Sequence, residues 1–286
     1  MSDALCTLVE ATHGQRDADW CGRKVLVINE GWGSLVIAYQ GAQLLHFAPH
    51  GQQGWLWTTP TPKEAPDAIR GGIPLCWPWF GDADGHEGPA HGTARTAPWR
   101  IDAVDEHQEG VEVHLSPEQR LDPQLTPRVV IQANAQRLNI ELITEHTGDT
   151  PVSFTQALHT YLAVDQSFEC RISGLAGARY LDKLDGLREK DQQGELGIRG
   201  ALDRIYHSSR PLLLESGNTT RRLAKQGSDS SVIWHPGSAL PGDVPAEQAQ
   251  RFVCIEAACT QLDRVWLAPG SHHLLAQHLS LETRDS

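Results

Sequence analysis

The feature that most constrains this chain is an alternation of apolar and polar residues that recurs along its length. The alternating runs begin at Val25, Leu35, Leu44, Val111, Val129, Leu138, Val253 and Val265, with a less regular run from Leu275. A period of two places successive side chains on opposite faces of a β-strand. Sustained 3.6-residue periodicity is almost absent, and short helical turns are expected only around residues 117–124 and 245–250. The pattern predicts an all-β fold, a large antiparallel β-sandwich of two stacked sheets with few short helices.

The length of 286 residues permits two domains or one large all-β domain. No break in composition marks a boundary, so we expect a single domain over residues 1–286. Residues 60–98 are rich in Pro and Gly but contain the apolar segment from Ile73 to Phe80, which cannot be left in water. A long ordered loop inside a compact domain is usually functional, so this region is expected to border a site.

The charge of the chain limits the partners it can have. The net charge is −12, from 24 basic and 36 acidic residues. Nucleic-acid binding needs a basic surface, so no nucleic-acid partner is expected. A small anionic substrate stays possible if the charge around its site is locally positive.

Cysteine usage and the N-terminus indicate where such a chain works. The six cysteines are scattered, without a Cys-x-x-Cys pair, and several lie in apolar runs typical of buried thiols. The segment from Met1 to Cys6 lacks a basic region followed by an apolar stretch, so no signal peptide is expected. No segment approaches the roughly 20 apolar residues of a membrane span. We therefore predict a reduced, cytoplasmic enzyme without a membrane partner.

One histidine and one glutamate stand inside apolar strands. His159 ends the run that starts at Gln156, and Glu256 lies within the run from Val253 to Ala258. An unpaired polar group in an apolar strand is costly, so each residue is expected to face a site or to have a partner. One imidazole with one carboxylate suits general acid–base chemistry, whereas a metal centre needs three or four convergent ligands. The alternative is structural: a histidine bonded to a backbone carbonyl, and a glutamate paired with a buried arginine.

Two arginines flank the Gly/Pro-rich loop. Arg70 precedes Gly71 and Gly72, and Arg95 lies four residues after His91. Two guanidinium groups displayed by one loop suit recognition of a phosphate or carboxylate. The alternative for the first segment, a tightly packed corner with a surface arginine, carries equal weight.

Several segments together resemble the aldose 1-epimerase (mutarotase) superfamily, and within it the glucose-6-phosphate 1-epimerase branch. In chain order they are Gly41-Ala42-Gln43-Leu44-Leu45, Trp55-Leu56-Trp57, Arg70-Gly71-Gly72-Ile73-Pro74, His91-Gly92-Thr93-Ala94-Arg95, Ala157-Leu158-His159-Thr160-Tyr161, Asp203-Arg204-Ile205-Tyr206, Ile255-Glu256-Ala257 and Leu267-Ala268-Pro269-Gly270. They keep their order over a family-like core of about residues 24–280, which is more specific than any single motif.

The chain departs from the family pattern at two places. His146 stands where the family usually has Asn before the Thr-Gly-Asp turn. Trp234-His235-Pro236-Gly237 replaces an Asn-Pro-Trp-like segment, so no role is assigned there, nor to His46, His50 or His86.

The resemblance implies a galactose mutarotase-like fold and a role for each site residue. His159 would be the general acid that protonates the ring oxygen of a sugar, and Glu256 the general base at the anomeric hydroxyl. Asp203 would accept hydrogen bonds from ring hydroxyls, although a turn aspartate that caps an amide is the common alternative. His91, Arg70 and Arg95 would bind the substrate. No metal and no cofactor are implied.

The implied function is interconversion of the α and β anomers of a hexose 6-phosphate, with glucose 6-phosphate as the expected sugar phosphate. The rival enzyme is an aldose 1-epimerase for unphosphorylated sugars, which would not need two guanidinium groups. The rival from another class is a non-catalytic carbohydrate-binding module, which would have no use for both His159 and Glu256. The sequence leaves the oligomeric state open, and a monomer is favoured.

Overall fold

The structure, a computed structural model that describes residues 3–83, 88–107 and 109–282, consists mainly of β-strands. The strands are β1 (Gly14–Trp20), β2 (Arg23–Glu30), β3 (Gly33–Ala38), β4 (Gln43–Pro49), β5 (Leu75–Cys76), β6 (Trp99–His107), β7 (Gly110–Pro117), β8 (Leu125–Asn134), β9 (Arg137–His146), β10 (Val152–Phe154), β11 (Gln156–Leu158), β12 (Tyr161–Ala163), β13 (Arg171–Ser173), β14 (Arg179–Asp182), β15 (Arg188–Asp191), β16 (Leu196–Gly197), β17 (Leu202–His207), β18 (Leu212–Ser216), β19 (Thr219–Gln226), β20 (Ser230–His235), β21 (Phe252–Cys259), β22 (Val265–Leu267) and β23 (His272–Leu281). One α-helix, α1 (Asp3–Glu10), and four 3₁₀ turns (Ala94–Thr96, Ser167–Glu169, Lys183–Asp185 and Ala246–Gln248) complete the elements of these ranges.

Two large antiparallel sheets form the body of the molecule. One has the order β16-β13-β18-β19-β23-β9-β8-β7-β6. The other has the order β15-β14-β17-β20-β21-β11-β5, with β12 also paired to β21. Apolar residues such as Ile255 and Ile233 of the second sheet and Leu275 and Leu142 of the first belong to one buried cluster between them. The predicted all-β antiparallel sandwich is confirmed, because every alternating run named in the sequence lies in a strand.

A smaller four-stranded sheet, β1 to β4, carries the one helix that the alternating pattern did not predict. Leu5 of α1 is fully buried against Val25, Val27 and Val36, with Leu8 packed beside it. The helix therefore covers a second apolar face of this sheet, which explains why β3 is buried at every residue.

The two expected helical turns have different outcomes. A 3₁₀ turn at Ala246–Gln248 confirms the second. Residues 118–124 form no helix. There the Asp122 carboxylate accepts hydrogen bonds from the N–H groups of Gln124 and Leu125, at 2.8 and 2.9 Å, and fixes a turn into β8.

Four further expectations have different outcomes. All six cysteines are free thiols, four of them buried. Within the described ranges, no helix has the length and apolar character that a membrane span requires. The single domain and the cytoplasmic location stay predictions, and His86 lies outside the described residues.

Candidate active site

The candidate site lies on the face of the eight-stranded sheet that points away from the nine-stranded sheet. In β21, Val253, Ile255 and Ala257 enter the core between the sheets. The alternate residues Cys254 and Glu256 therefore face the other way. Strand pairing extends this row across the sheet, because Cys254 lies opposite Trp234 of β20 and Trp234 lies opposite Asp203 of β17.

An interruption in the strand ladder brings the predicted acid–base residues together. Leu158 pairs with Ala257, and Tyr161 pairs with Cys254, so the same register places His159 opposite Glu256. Neither residue 159 nor residue 160 is in a strand. The His159 N–H instead donates to the Pro74 carbonyl at 3.0 Å, in the loop before β5. His159 Nε2 lies 3.5 Å from Glu256 Oε1.

The two side chains are buried and incompletely hydrogen-bonded. The exposed fraction is 12% for the His159 side chain and 1% for that of Glu256. His159 Nδ1 and Glu256 Oε2 have no hydrogen-bond partner among residues 3–83, 88–107 and 109–282. A buried polar atom without a partner is costly, which is typical of a site that a ligand completes.

Burial sets the protonation of this pair. It lowers the pKa of His159 well below its usual value, and the charges of Arg95 and Arg70 act in the same direction. It raises the pKa of Glu256 well above its usual value, and the Asp203 carboxylate adds to this rise. The pair therefore favours a neutral imidazole beside a carboxylic acid.

Aromatic rings hold the His159 imidazole in place. The Tyr161 ring stacks on it at 4.8 Å between centroids and 9° between planes. The rings of His91 and Trp234 meet it edge-on at 5.7 and 6.2 Å. With its ring contacted from three directions, His159 is positioned by packing as well as by its backbone hydrogen bond.

Arg70 is held by an acidic partner that the sequence did not indicate. Its Nε donates to Asp243 Oδ1 at 2.6 Å, and its Nη1 donates to the Tyr161 hydroxyl at 3.2 Å. Asp243 is almost completely buried, whereas the exposed fraction of the Arg70 side chain is 26%. The ion pair offsets the charge of Arg70 and ties it to the ring that stacks on His159.

The glycines after Arg70 are required by close backbone contact. Gly72 has φ of +60°, and a Cβ there would lie 2.0 Å from the Leu44 carbonyl oxygen. The Gly72 carbonyl accepts from the Tyr161 N–H at 2.9 Å, and the Ile73 N–H donates to Leu44 at 2.8 Å. The turn thereby joins β4 to β12 and fixes Arg70 beside the site.

His91 and Arg95 belong to the same segment of the chain, just before β6. His91 has φ of +66°, unusual for a residue with a side chain. Its N–H donates to the Gly81 carbonyl at 2.6 Å, and its Nδ1 accepts from the Gly81 N–H at 3.3 Å. Burial, together with the charge of Arg95, lowers the pKa of His91 to about 3, so the ring is neutral and its Nε2 carries the proton. Arg95 donates through Nη2 to the Ala90 carbonyl at 2.6 Å.

Asp203 lies at the far end of the row and is paired with a lysine. Its Oδ2 is 3.2 Å from Lys183 Nζ. Burial raises the pKa of Asp203, although Lys183 opposes the shift. Lys183, Ile205, Phe80 and Arg264 line part of a cavity of about 610 Å³, a size typical of small-molecule sites.

None of the predicted site residues lines this cavity, but two of its lining residues lie near the acid–base pair. Ile205 lies opposite Val232, which in turn lies opposite Glu256. The Phe80 ring lies 5.2 Å from that of His91, which contacts His159. His159 thus lies against Glu256 and His91, and Arg70 reaches it through Tyr161. Asp203 is linked to Glu256 through its charge. Arg95 is linked to His159 through its charge.

Sequence reasoning missed four residues of this face: Tyr161, Trp234, Lys183 and Asp243. Tyr161 was within reach, since it lies two residues after His159 and a strand returns to the same face every second residue. Trp234 belongs to the segment that departed from the family pattern. Lys183 and Asp243 lie in turns without a periodic signal.

The one group of three metal-ligand side chains in the described ranges lies elsewhere. Asp105, Glu112 and His114 offer ligand atoms within 4.8 Å of one another on β6 and β7, at the edge of the nine-stranded sheet. His114 already contacts Glu112 at 2.7 Å. The absence of a metal from the chemistry stays a prediction.

Comparison with known proteins identifies the family. The chain is 31% identical over 272 residues to an Escherichia coli K12 protein named provisionally as a glucose-6-phosphate 1-epimerase, with 91% of each chain covered. It is 32% identical over 248 residues to a Salmonella typhimurium LT2 protein with the same provisional name, covering 81% of this chain and 82% of that one.

The crystal structure of a Salmonella typhimurium protein named provisionally as a mutarotase, YeaD, superposes with a TM-score of 0.87 at 27% identity. That alignment covers 96% of this chain and 95% of the other. The profile of the family described as Aldose 1-epimerase matches residues 23–280, close to the core expected from the sequence. The chain belongs to the aldose 1-epimerase family.

Proposed function

We propose that this chain interconverts the α and β anomers of a hexose 6-phosphate, with glucose 6-phosphate as the first candidate, by acid–base-catalysed ring opening and reclosure. The observation that carries the proposal is the His159–Glu256 pair, 3.5 Å apart, with one polar atom of each side chain left without a partner among the described residues. Membership of the aldose 1-epimerase family and the provisional name of the two bacterial relatives support the reaction and the sugar phosphate.

The reaction needs one proton donor and one proton acceptor on the same sugar. Glu256 takes the proton of the anomeric hydroxyl while His159 gives a proton to the ring oxygen, and the C1–O5 bond breaks to leave an open-chain aldehyde. Rotation about C1–C2 presents the other face of the aldehyde, and reclosure returns both protons with the roles exchanged. Paired proton transfer of this kind contributes about 10²–10⁴-fold to a rate.

These roles require the one transferable proton of the pair to move from Glu256 to His159. The charges of Arg70 and Arg95 are among those that lower the pKa of His159, whereas the main influences on Glu256 are burial, Asp203 and Lys183. A bound phosphate dianion beside the arginines offsets their charge and so favours the imidazolium. The anionic substrate would then help to create the acid that protonates it.

Arg95 is the better candidate for the phosphate contact. Arg70 already faces a buried carboxylate at 2.6 Å. Arg95 takes part in no ion pair within the described part of the chain, and its Nε is buried without a hydrogen-bond partner there. An uncompensated guanidinium with a free donor is suited to bind phosphate strongly.

An aldose 1-epimerase for unphosphorylated sugars remains the second candidate. The Arg70–Asp243 ion pair favours it, because a neutralised arginine adds little attraction for a dianion and can serve a sugar hydroxyl instead. A non-catalytic sugar-binding module is the third, and the paired acid and base argue against it.

The decisive assay compares the rates of α/β exchange on glucose 6-phosphate and on glucose, side by side. We expect faster exchange on the phosphate, with a KM that rises as salt is added. Arg95→Gln should raise the KM for glucose 6-phosphate by about tenfold to a hundredfold and leave exchange on glucose nearly unchanged. Arg100→Gln, an exposed arginine on the adjacent β6, is the matched control.

Equal rates on the two sugars would assign the chain to general aldoses. Exchange on neither sugar, in a folded protein that binds them, would assign it to the non-catalytic class.

A further inference from the structure

The strand ladder that carries His159 and Glu256 has a missing hydrogen bond. The Ile255 N–H donates to the Thr160 carbonyl at 3.1 Å. In an unbroken antiparallel ladder, a pair of this kind exchanges two bonds, so the Thr160 N–H would return to the Ile255 carbonyl. It instead bonds to the Leu158 carbonyl at 3.0 Å. The Ile255 carbonyl, next in sequence to Glu256, thereby loses its strand partner.

A side chain from the opposite sheet replaces that partner. Gln277 of β23 donates from Nε2 to the Ile255 carbonyl at 3.1 Å. Its Oε1 accepts a hydrogen bond from the Thr160 hydroxyl. One amide therefore links the residue after His159 to the residue before Glu256, from behind the site.

Gln277 is a polar residue in an otherwise apolar row, which indicates that its hydrogen bonds have a function. It is completely buried, between the buried residues Leu275 and Leu279 on the inward face of β23. A buried amide stabilises a fold little more than an apolar residue of its size would, and it is tolerated only when its hydrogen bonds are made. Both polar atoms of this amide are bonded, one to Thr160 beside His159 and the other to Ile255 beside Glu256.

We propose that Gln277 is a positioning residue for the reaction. It supports the ladder gap that turns His159 into the site, and it sets the spacing between His159 and Glu256. It acts through Thr160 and Ile255 and touches no reacting atom. This inference rests on the roles proposed above for His159 and Glu256.

The test compares Gln277→Leu, which keeps the approximate volume and removes both hydrogen bonds, with Leu279→Ala on the same buried face. We expect Gln277→Leu to lower kcat for anomer exchange by about tenfold to a hundredfold, because a misplacement of about 1 Å costs as much, with little change in KM. Leu279→Ala should lower the unfolding temperature at least as much and leave kcat close to wild type. Wild-type kcat in folded Gln277→Leu, or an equal loss of kcat in Leu279→Ala, would overturn the proposal.

Thr160 provides an independent arm, which also decides the matter if Gln277→Leu does not fold. Thr160→Val should reproduce the loss of kcat, and Thr160→Ser, which keeps the hydroxyl, should restore most of it. The double variant Thr160→Val/Gln277→Leu should lose little beyond either single change, since the two residues share one bond. Additive losses would contradict the shared network.

A spectroscopic readout separates this inference from the proposed function. The imidazole NMR signals of His159 should shift or broaden in Gln277→Leu and stay in place in Leu279→Ala. If the wild-type protein exchanges no sugar anomers, the proposed function fails, and these signals still decide whether Gln277 positions His159. Unmoved signals in Gln277→Leu would refute the positioning role whatever the activity.

Discussion

At the scale of single residues, the Arg70–Asp243 ion pair makes Arg70 important for the stability of the fold, apart from any role in binding. The Arg70 side chain is partly exposed, whereas only 4% of the Asp243 side chain is exposed. The buried carboxylate therefore depends on Arg70 to balance its charge. Removal of one member of a buried pair leaves an uncompensated charge, which costs about 3–5 kcal/mol. We therefore expect the loss of Arg70 to lower the stability of the fold, whatever its effect on substrate binding.

We predict that Arg70→Ala lowers the free energy of unfolding by about 3 kcal/mol, measured by urea denaturation. Asp243→Asn added to that variant should restore a large part of the loss, because it removes the unpaired charge. The exposed ion pair of Arg100 and Asp102 is the control, and Arg100→Ala there should change stability by less than about 1 kcal/mol. If Asp243→Asn restores nothing, the carboxylate is not the group that Arg70 stabilises.

Particular residues show how far the sequence predicts the site. His159 and Glu256 were identifiable because a polar residue in an apolar strand is conspicuous, and the family motifs supplied their roles. Asp243 and Gln277 were not, since each acts through a partner more than 100 positions away in sequence. Their side chains gain meaning only once the fold brings those partners within hydrogen-bonding distance.

At the scale of elements, the turn after Arg70 depends on the absence of a side chain at Gly72. A Cβ at this position would overlap the Leu44 carbonyl oxygen at 2.0 Å. Two hydrogen bonds of the turn, from Tyr161 to Gly72 and from Ile73 to Leu44, would have to lengthen. The displacement would pass directly into β12, which follows His159.

Gly72→Ala and Gly186→Ala form a matched pair for this argument. Both glycines have nearly the same φ, +60° and +62°, but a Cβ at Gly186 meets no atom within 4 Å. Gly186→Ala should lower the free energy of unfolding by only about 1–2 kcal/mol, the cost of a left-handed backbone conformation for a residue with a side chain. Gly72→Ala should cost about 1–3 kcal/mol more because of overpacking and should lower kcat as well. Equal costs in thermal or urea unfolding would show that the contact with Leu44 is unimportant.

The elements themselves were largely predictable, and the exceptions have physical reasons. A period of two identified the long strands, because each buries one face of a sheet. Helix α1 was not predicted because only Leu5, Leu8 and a few neighbours form its apolar side. The gap in the strand ladder at residues 159–160 was not predicted, because residue type does not reveal it. Hydrogen bonds to the Pro74 and Leu158 carbonyls interrupt the ladder there.

At the scale of the whole molecule, buried histidines make stability depend on pH. Burial lowers the pKa of His46 to about 3, and its Nε2 lies 2.9 Å from the Ser34 hydroxyl. In the unfolded chain its pKa is 6.5. Between these two values the unfolded chain binds a proton that the folded protein does not, so stability falls as pH is lowered from about 6.5 towards 3. Each pH unit in this window costs about 1.4 kcal/mol.

We therefore predict that His46→Gln flattens the acid side of the stability profile. The drop in unfolding free energy between pH 7 and pH 4 should be smaller than in wild type by about 3 kcal/mol. His50→Gln, an exposed histidine four residues later, should leave the drop unchanged. A His46→Gln profile parallel to that of wild type would mean that folding does not lower the pKa of His46.

The central claim is that His159 and Glu256 exchange two protons with one sugar. The most direct measurement is the rate of α/β exchange of glucose 6-phosphate, followed by two-dimensional NMR exchange spectroscopy in wild type, His159→Gln and Glu256→Gln. Catalysed exchange should fall by about 10²–10⁴-fold in each variant, while both stay folded and still bind the sugar phosphate. Near-wild-type exchange in either folded variant would remove that residue from the mechanism and contradict the claim.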